Sequence, residues 1–353
     1  MTAVADPVAL GARFPAGFRF GAATSAYQIE GSAGAIGKGP SIWDEFVRVE
    51  GAIRNGHTGE VACDHLRRFR EDVRIMGALG LTDYRFSVSW PRVLPKGTGR
   101  VNPGGLDFYD RLVDALAAQG IRPVVTLYHW DLPAELQRRG GWDSDNAPAW
   151  LAELASVVAG RLGDRVHDWI TVNEPAVAAF VGHGQGRHAP GLRDWPLALR
   201  AAHRMLLAHP LTRQAIRAAS PGPARVGIAL NLYPVEPAGE GDALAATRVD
   251  GHENRWFLDP LFGRGYPSDM LAWWGEHVPE RFAAEMEAFR PVVDFLGVNY
   301  YTRHPVAASR EQPLEASILE RGERTAAGWR CTPTASATCS PGSRATTAES
   351  RSS

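Results

Sequence analysis

The chain has 353 residues, 44% of them hydrophobic and 22% charged, which fits one large globular domain or two ordinary ones and excludes a disordered protein. Its formal net charge is -1 with acidic and basic residues interleaved, which excludes the basic stripe that nucleic acid or an anionic membrane requires. We therefore expect a small-molecule partner. The N-terminus lacks a positive start followed by an apolar core, and no window reaches the roughly 20 apolar residues of a membrane helix, so we predict a cytoplasmic protein.

The cysteines predict neither a disulfide framework nor a zinc site. Cys63 stands alone in "ACDHL", while Cys331 and Cys339 lie near the C-terminus. Cys63, Asp64 and His65 could be considered as metal ligands, but adjacent residues rarely point in the same direction. We therefore favour an ordinary helix start at this position.

Apolar, β-rich runs alternate along the chain with helical patterns in which apolar residues recur every three or four positions. The predicted strands are "FRFGAATSA", "TDYRFSVSW", "RPVVTLYHW", "DWITVNE", "ARVGIALNLYPV" and "DFLGVNYYT". The predicted helices are "HLRRFREDVRIMGALG", "GLDFYDRLVDALAAQG", "NAPAWLAELASVVAGRLG" and "ALRAAHRMLLAHPLTRQAIRAA". Gly120 closes the second helix, and Pro210 would kink the last one at a cost of about 3 kcal/mol unless a boundary falls there. This alternation predicts a parallel sheet covered by helices.

Five of the predicted strands end in aromatic and polar residues together, in "SVSWPR", "YHWDLP", "VNEP", "NLYP" and "NYYT". A doubly wound sheet concentrates its ligand contacts near one switch point, whereas a (β/α)8 barrel gathers them from most strand ends. No G-x-G-x-x-G motif follows the first strand. We therefore predict an α/β fold, a (β/α)8 TIM barrel that is incomplete because about six of its eight strands are present. Residues 1–330 would form this barrel.

The stretch "DWITVNEP" places one carboxylic acid, Glu174, at the end of a predicted strand beside Asn173. An isolated glutamate there could simply cap the following helix. The neighbouring strand ends favour a sugar site instead, because their tryptophans and tyrosines offer flat apolar faces to sugar rings. Gln28, His129 and Asn299, together with Asn173, could supply hydrogen bonds to hydroxyl groups.

These residues carry a resemblance to glycoside hydrolase family 1, and within it to the bacterial β-glucosidases. The matching segments, in the family's order over about residues 14–302, are "FRFGAATSAYQIEG", "GPSIWDEF", "DYRFSVSWPR", "LYHWDLP", "TVNEP", "GRHAPG", "NRWFLDPLF" and "FLGVNYYT". The resemblance implies a retaining hydrolase of β-linked glucosides and related glycosides on a (β/α)8 barrel, without metal or organic cofactor. Its partner would be a small β-glycoside or oligosaccharide. Ala35 and Ile36 depart from the polar loop residues of the family.

The resemblance also implies roles for individual residues. Glu174 resembles the general acid/base, and Asn173 the residue that holds the sugar 2-hydroxyl. Gln28, His129 and Trp130 resemble the residues that hold the glycone hydroxyls. Arg85 and Tyr301 resemble the pair that orients the nucleophilic carboxylate, and Asn299 would lie near that pair.

The nucleophile of the family has no counterpart in this chain. The family carries it in a motif close to "ITENG" on the seventh strand, followed by an eighth strand and a Glu-Trp pair, and none of these occurs here. The residues after Arg330 read "CTPTASATCSPGSRATTAESRSS", which is typical of a disordered tail over residues 331–353. Read one nucleotide earlier with GC-rich codons, the same tail can encode "VHPDGFRDLLAWLARDYRGIPVL". We therefore predict a frameshift near Arg330, which leaves the chain truncated relative to the family.

Several consequences and alternatives follow from the missing carboxylate. Without its charge, the pKa of Glu174 should be closer to that of an ordinary carboxylate, and the open edges of six strands should make the chain unstable. One alternative is an inactive carbohydrate-binding remnant of the family.

A second alternative is a barrel enzyme whose partner carboxylate is already present. Glu30, Asp131 and Glu236 are the candidates, although "DLP" and "VEP" also read as turn and capping chemistry.

Overall fold

The computed structural model describes residues 13–32, 34–288 and 293–320. The chain divides into two compact units. The first comprises the described residues up to Asn173 together with Leu211–Gly227. The second comprises Glu174–Pro210 and the described residues from Ile228 onward.

The first unit alternates strands and helices. In chain order its elements are β1 (Gly21–Ala23), α1 (Ala26–Ile29), α2 (Ile42–Phe46), α3 (His65–Ala78), β2 (Asp83–Ser87), α4 (Trp90–Val93), α5 (Pro103–Ala118), β3 (Arg122–Tyr128), α6 (Ala134–Arg138), α7 (Ala147–Leu162) and β4 (Asp168–Asn173). Short 3-10 turns at Ala35–Gly37, Arg54–Gly56 and Gly141–Asp143 connect them.

The strands of the first unit pair in parallel in the order of the chain. Gly21 lies opposite Asp83 on β2, Asp83 opposite Arg122 on β3, and Val124 opposite Asp168 on β4. Every residue of β4 is buried. A strand covered on both faces has no solvent-facing side, which is why "DWITVN" does not alternate regularly between apolar and polar residues.

The helices between these strands begin and end where their sequences predict. Pro103 stands at the start of α5, where its missing N–H group costs no hydrogen bond. The helix buries Phe108, Leu112 and Leu116, which recur at helical spacing. Gly120 then closes it with a φ of 68°, a left-handed conformation in which glycine meets no steric penalty.

The second unit begins at Glu174. Its elements are a π-helix (Val177–Gly184), α8 (Trp195–Ala219), β5 (Arg225–Asn231), β6 (Val235–Pro237), a 3-10 turn (Glu240–Asp242), α9 (Ala243–Asp250), a π-helix (Gly251–Arg255), α10 (Trp256–Leu261), α11 (Ser268–Trp274), a 3-10 turn (Gly275–His277), α12 (Arg281–Ala288), β7 (Leu296–Asn299), β8 (His304–Ala308), a 3-10 turn (Pro313–Glu315) and β9 (Ala316–Ile318). The chain passes between the units within α8 and within β5.

Two strand arrangements organise the second unit. β5 pairs in parallel with β7, with Ile228 opposite Leu296 and Asn231 opposite Asn299. A separate small sheet has the order β6-β8-β9. Helix α9 packs on it through a cluster of small apolar side chains, namely Ala245, Ala246, Val249, Val306 and Ala316.

The predicted fold class is confirmed. Among the described residues the main sheet has six parallel strands in the order β1-β2-β3-β4-β5-β7, and each lies within a strand predicted from the sequence. The four predicted helices correspond to α3, α5, α7 and α8. Pro210 lies inside α8, which continues through it rather than ending there. The fold is α/β, a (β/α)8 barrel represented by six of its eight strands.

Some predictions fall partly or wholly outside the described residues. The tail 331–353 is outside them, so its predicted disorder and the proposed domain limit at residue 330 stay predictions.

Cys63 is exposed, and His65 forms the first turn of α3 with its Nδ1 2.6 Å from Asp72 Oδ2, so these residues are a helix start as favoured. None of the helices in the described ranges is long and apolar enough to cross a membrane.

The Ala35–Gly37 turn contains a strained residue at one of the positions that depart from the family. Ile36 has a φ of 56°, where a β-branched side chain is unfavourable, and its side chain is 43% exposed. We predict that Ile36→Asn stabilises the chain by about 1 kcal/mol, because asparagine tolerates this conformation. Urea unfolding of the two proteins would measure the difference.

The matched control is Ile75→Asn on α3, where the isoleucine is 53% exposed but the backbone is helical. This change should leave the stability unchanged or lower it slightly, because asparagine is the poorer helix former. Equal effects at the two positions would contradict the strain at Ile36.

Candidate active site

The polar residues singled out in the sequence lie at the C-terminal ends of the parallel strands. Asn173, Asn231 and Asn299 are the last residues of β4, β5 and β7, and His129 and Trp130 directly follow β3. The C-terminal strand ends of a (β/α)8 barrel are where its active sites are built. Each unit carries its own set of candidate residues.

Asn173 is the centre of the set in the first unit. Its side chain is fully buried, Arg85 Nη2 donates to its Oδ1, and its own Nδ2 lies 3.1 Å from His129 Nε2. These two contacts fix the orientation of the amide, since the oxygen must face the guanidinium and the nitrogen must donate to the imidazole. Arg85 Nε also donates to Thr126 Oγ1 at 3.1 Å, which holds the guanidinium in place.

His129 is a neutral imidazole in this arrangement. Burial lowers the pKa of His129 to about 3, and the positive charge of Arg85 acts in the same direction. A neutral ring that accepts from Asn173 at Nε2 carries its proton on Nδ1. That buried Nδ1 has no hydrogen-bond partner among the described residues, so it is a donor with capacity for a ligand hydroxyl.

Trp130 is held against the same asparagine. Its indole Nε1 donates to the backbone oxygen of Asn173 at 2.9 Å, and its φ is 75°. Such a conformation in a bulky residue is rare and occurs where the surroundings enforce it, often at functional sites. Gln28 differs from the others: it lies on α1 with an exposed side chain, and its predicted role in glycone binding stays a prediction.

Glu174 opens the second unit in a strained turn. Its φ is 48°, its amide donates to Ala229 O at 2.7 Å, and its carbonyl accepts from Val177 at 3.0 Å and Ala178 at 3.1 Å. The backbone thus starts the following π-helix, which is the capping role considered from the sequence. The side chain of Glu174 contacts β7 instead, where its Oε1 accepts a hydrogen bond from Asn299 Nδ2.

Glu174 is only 4% exposed, and the hydrogen bond from Asn299 contributes to compensating the burial of its carboxylate. The sequence analysis placed Asn299 near Arg85 and Tyr301 instead, and its predicted role in substrate binding stays a prediction. Tyr301, two residues beyond β7, is 42% exposed, and its predicted role in orienting a nucleophile stays a prediction.

The structure adds residues that the sequence analysis did not single out. Tyr233 stacks on His304 with ring centroids 4.1 Å apart, and Asn231 Nδ2 donates to its hydroxyl at 3.2 Å. Burial raises the pKa of Tyr233 to about 12; the hydrogen bond from Asn231 opposes the increase, and the charges of Glu253 and Glu174 add to it. The sequence signal that could have identified Tyr233 is the strand end "NLYP", which combines aromatic and polar residues like the other strand ends quoted above.

Glu253 is a further carboxylate in the same unit. It lies on the π-helix Gly251–Arg255, and burial raises its pKa to about 7. Single π-turns within helices occur frequently at functional sites. No sequence pattern distinguished this glutamate from the surrounding helix.

Two of the three alternative partner carboxylates have a cation of their own. Glu30 is buried, accepts from Arg92 Nε at 2.9 Å and from the Tyr109 hydroxyl at 2.6 Å, and so serves the core of the first unit. Glu236 Oε2 lies 3.0 Å from Arg303 Nη1 in the second unit.

Asp131, the third alternative, is buried and forms no salt bridge with another of the described residues. It is 1% exposed, and burial raises its pKa to about 7, with the Glu30 charge adding to the effect and Lys38 and Ser89 opposing it. A buried carboxyl with such a pKa holds a proton over part of the physiological range.

Comparison with known proteins identifies the family. The sequence profile of "Glycosyl hydrolase family 1" matches residues 10–337. The chain belongs to glycosyl hydrolase family 1.

Its relatives include Beta-glucosidase A of Thermotoga maritima, which is 45% identical over 325 residues that cover 91% of this chain and 73% of the relative. The 1,4-beta-D-glucan glucohydrolase of Thermotoga neapolitana is 43% identical over 91% of this chain and 76% of that protein.

The fold is shared with solved members of family 1. The beta-glucosidase from Thermotoga maritima in complex with castanospermine superimposes with a TM-score of 0.88 at 45% identity, covering 91% of this chain and 73% of the other. About a quarter of the length of these relatives therefore has no counterpart in the matched region.

The protonated state of Asp131 leads to a pH-dependent prediction. The folded-state pKa, about 7, lies above the ordinary value of 3.8, so the folded chain binds the extra proton and this contribution to stability is lost as the pH rises from about 4 through 7. We predict that Asp131→Asn stabilises the chain on the order of 3 kcal/mol at pH 8 and has little effect at pH 4. Urea unfolding at the two pH values measures it.

The control is Asp107→Asn, at a carboxylate whose side chain is 55% exposed and which pairs with Arg161. Its effect should be small at either pH, because solvent screens a surface pair. A pH-independent effect of Asp131→Asn would show that folding does not raise the pKa of Asp131.

Proposed function

We propose that this protein descends from, and in its full-length form acts as, a retaining β-glucosidase that hydrolyses β-linked glucosides and related glycosides. Two observations support this proposal. The chain belongs to a family in which relatives similar to it are named beta-glucosidases, and a buried carboxylate, Glu174, directly follows β4. The observation that carries the proposal is the hydrogen bond from Asn299 to Glu174, which holds the side chain of the carboxylate away from simple helix capping.

Glu174 would act as general acid and then as general base. In the first step it donates its proton to the glycosidic oxygen, the bond from the anomeric carbon to that oxygen breaks, and a second carboxylate attacks the anomeric carbon. In the second step Glu174 removes a proton from water, whose oxygen displaces the enzyme carboxylate and releases the sugar. The first step leaves Glu174 ionised, and the proton taken from water in the second step restores its protonated form, so the complete cycle returns it to its starting state.

The first-unit residues would bind the glycone. Asn173, whose amide is oriented by Arg85 and His129, would hold the sugar 2-hydroxyl through a hydrogen bond that strengthens in the oxocarbenium-like transition state. The Nδ1–H of His129 would donate to a neighbouring hydroxyl. The indole of Trp130, fixed by Asn173, offers an apolar face to the ring.

The second carboxylate is the missing component. Retention needs the two carboxyl groups about 5 to 5.5 Å apart. Glu30 and Glu236 already form ion pairs, so neither is a ready nucleophile. We propose that the nucleophile belongs to a segment lost through a frameshift near Arg330. The 353-residue chain would then contain the acid/base, Glu174, but no nucleophile. Loss of a catalytic nucleophile costs on the order of a millionfold in rate, as it does in the protease subtilisin.

The alternative is a carbohydrate-binding remnant without catalysis. It would keep the predicted glycone contacts of Gln28, His129 and Asn173 but would catalyse no hydrolysis. Calorimetry with glucose or gluconolactone distinguishes binding from no binding, and an aryl β-glucoside assay distinguishes hydrolysis from both. The cytoplasmic location expected from the N-terminal sequence also stays a prediction.

Sequencing the encoding DNA across codon 330 and several hundred bases beyond tests the frameshift. We expect the neighbouring frame to continue through a strand that carries an "ITENG"-like carboxylate. If the DNA confirms the reading frame of the 353-residue sequence and no such segment follows, the carbohydrate-binding remnant is favoured instead.

If that frame exists, we predict that the frame-restored protein hydrolyses aryl β-glucosides while the printed chain does not. In the restored protein, Glu174→Gln should reduce kcat/KM about 100-fold to 10,000-fold for poor leaving groups, which require protonation, and much less for activated ones. Steady-state assays with a series of aryl glucosides measure this dependence.

Glu236→Gln is the matched control, because it removes a carboxylate that is paired with Arg303 in the same unit. It should leave kcat/KM within about threefold of the parent value. A loss after Glu174→Gln that is equal for all leaving groups would contradict the acid/base role.

A further inference from the structure

A π-helix follows the candidate acid/base, and hydrogen bonds join the two. The π-helix comprises Val177–Gly184, and the carbonyl of Glu174 accepts from Val177 at 3.0 Å and from Ala178 at 3.1 Å. The backbone of Glu174 is therefore bonded to the first turn of this helix. A movement of that turn would change the position of the carboxylate.

A π-helix of this length needs support from its surroundings. π-turns are rare and mostly occur as single turns inside α-helices, whereas this one covers eight residues. Two glycines let neighbouring segments pack closely on it. A Cβ atom at Gly182 would lie 2.5 Å from Ala189 O, and one at Gly184 would lie 2.9 Å from the Trp195 ring. Tertiary contacts therefore maintain the π geometry.

His183 connects the last turn of the π-helix to its first. Its side chain is buried, and its Nδ1 lies 2.8 Å from Ala178 O, five residues earlier in the chain. A carbonyl oxygen only accepts hydrogen bonds, so Nδ1 carries the proton and donates. The side-chain bond spans the same five residues as a π-helical backbone bond, so it supports this geometry directly.

The surrounding contacts fix the position from which His183 donates. Its carbonyl accepts from Asp194 at 2.8 Å. Three residues before it, Phe180 stacks on His252 with ring centroids 4.1 Å apart, and both rings are buried. The imidazole therefore donates from a fixed position inside the second unit.

These contacts form a short path to the acid/base. His183 Nδ1 donates to the carbonyl of Ala178, and the amide of Ala178 donates to the carbonyl of Glu174. Glu174 has a φ of 48°, a strained conformation that persists only when its surroundings maintain it. The hydrogen bond of His183 is one of the contacts that can do so.

We propose that His183 is a positioning residue for Glu174. Its Nδ1–H group holds the first turn of the π-helix through Ala178, and this turn holds the strained backbone that carries the acid/base. His183 itself need not touch the substrate. The inference rests on the proposed function for the role of Glu174, whereas the positioning is a property of the backbone that can be measured without catalysis.

Amide hydrogen exchange in the full 353-residue chain tests the positioning, because the Glu174 amide donates to Ala229 O in the intact turn. His183→Leu removes the donor and should accelerate exchange at Glu174 about tenfold relative to the amides of β5. His183→Asn should exchange like the parent, because an asparagine amide nitrogen can donate from the position of Nδ1. Nuclear magnetic resonance measures the individual rates.

His203→Leu is the matched control. His203 is another buried histidine of the second unit, with its Nδ1 2.8 Å from the Tyr266 hydroxyl and its Nε2 2.5 Å from Glu285 Oε2. Its replacement should lower the stability of the chain without accelerating exchange at Glu174 relative to β5. The control thus separates positioning from general destabilisation.

The tautomer of His183 provides a test that needs no variant. Nitrogen-15 resonances of the imidazole in the parent chain should show the proton on Nδ1. A proton on Nε2 alone would overturn the inference, because Nδ1 and the carbonyl of Ala178 would then both be acceptors.

Catalysis is a separate readout. In the frame-restored protein, His183→Leu should reduce kcat/KM about tenfold for poor leaving groups and leave activated aryl glucosides nearly unaffected, while His183→Asn retains the parent values. This dependence on the leaving group is expected of a residue that acts through the acid/base, and a general loss of structure would not produce it.

The outcomes separate the inference from the proposed function. Equal exchange at Glu174 in the parent, His183→Leu and His183→Asn chains would overturn the inference, and so would equal acceleration by both substitutions. Faster exchange in His183→Leu alone supports the positioning. If the restored protein then shows no dependence on the leaving group, the positioning stands and the proposed role of Glu174 is contradicted.

Discussion

The turn that ends β4 is the constraint on which the candidate chemistry depends. Asn173 closes a fully buried strand, and Glu174 directly after it adopts a left-handed φ of 48° while its amide donates to Ala229 on β5. A glutamate does not favour this conformation, so the neighbouring strand must hold it. The turn places an amide and a carboxylate consecutively at a strand end, which is the arrangement a glycosidase needs for holding a hydroxyl and transferring a proton.

Local electrostatic compensation accounts for the other candidate carboxylates. Burying a carboxylate is costly unless a cation or several donors accompany it. Arg92 compensates Glu30, and Arg303 compensates Glu236, so each serves its own part of the fold. Asp131 avoids the cost differently, because burial raises its pKa to about 7 and favours the protonated form. Among these acids none is placed and charged as a nucleophile would be.

The sequence predicted much of the framework because parallel strands and their helices leave strong patterns. The six strands, the helix stop at Gly120 and the strand-end positions of His129, Asn173 and Asn299 all follow from periodicity and turn chemistry. The continuity of α8 through Pro210 did not, because packing along a buried helix can outweigh the local preference of one residue.

The parts of the site that the sequence could not predict are those built by contacts distant in the chain. The hydrogen bond between Glu174 and Asn299 joins residues 125 positions apart, and no local pattern reveals it. Tyr233 and Glu253 likewise enter the site region through tertiary placement, one through stacking on His304 and the other through a π-helical turn. The frame near Arg330 concerns the gene rather than the folded chain, so contacts among the described residues do not bear on it.

The central claim is that the 353-residue chain contains an acid/base, Glu174, but no nucleophile. Incubation with an activated 2-deoxy-2-fluoro-β-glucoside tests this directly, because a retaining enzyme with a nucleophile accumulates a covalent glycosyl adduct that intact-mass spectrometry detects. The account predicts an unmodified mass for the 353-residue chain. A stoichiometric adduct, mapped by peptide analysis to Asp131, Glu236, Glu253 or another carboxylate of this chain, would contradict it.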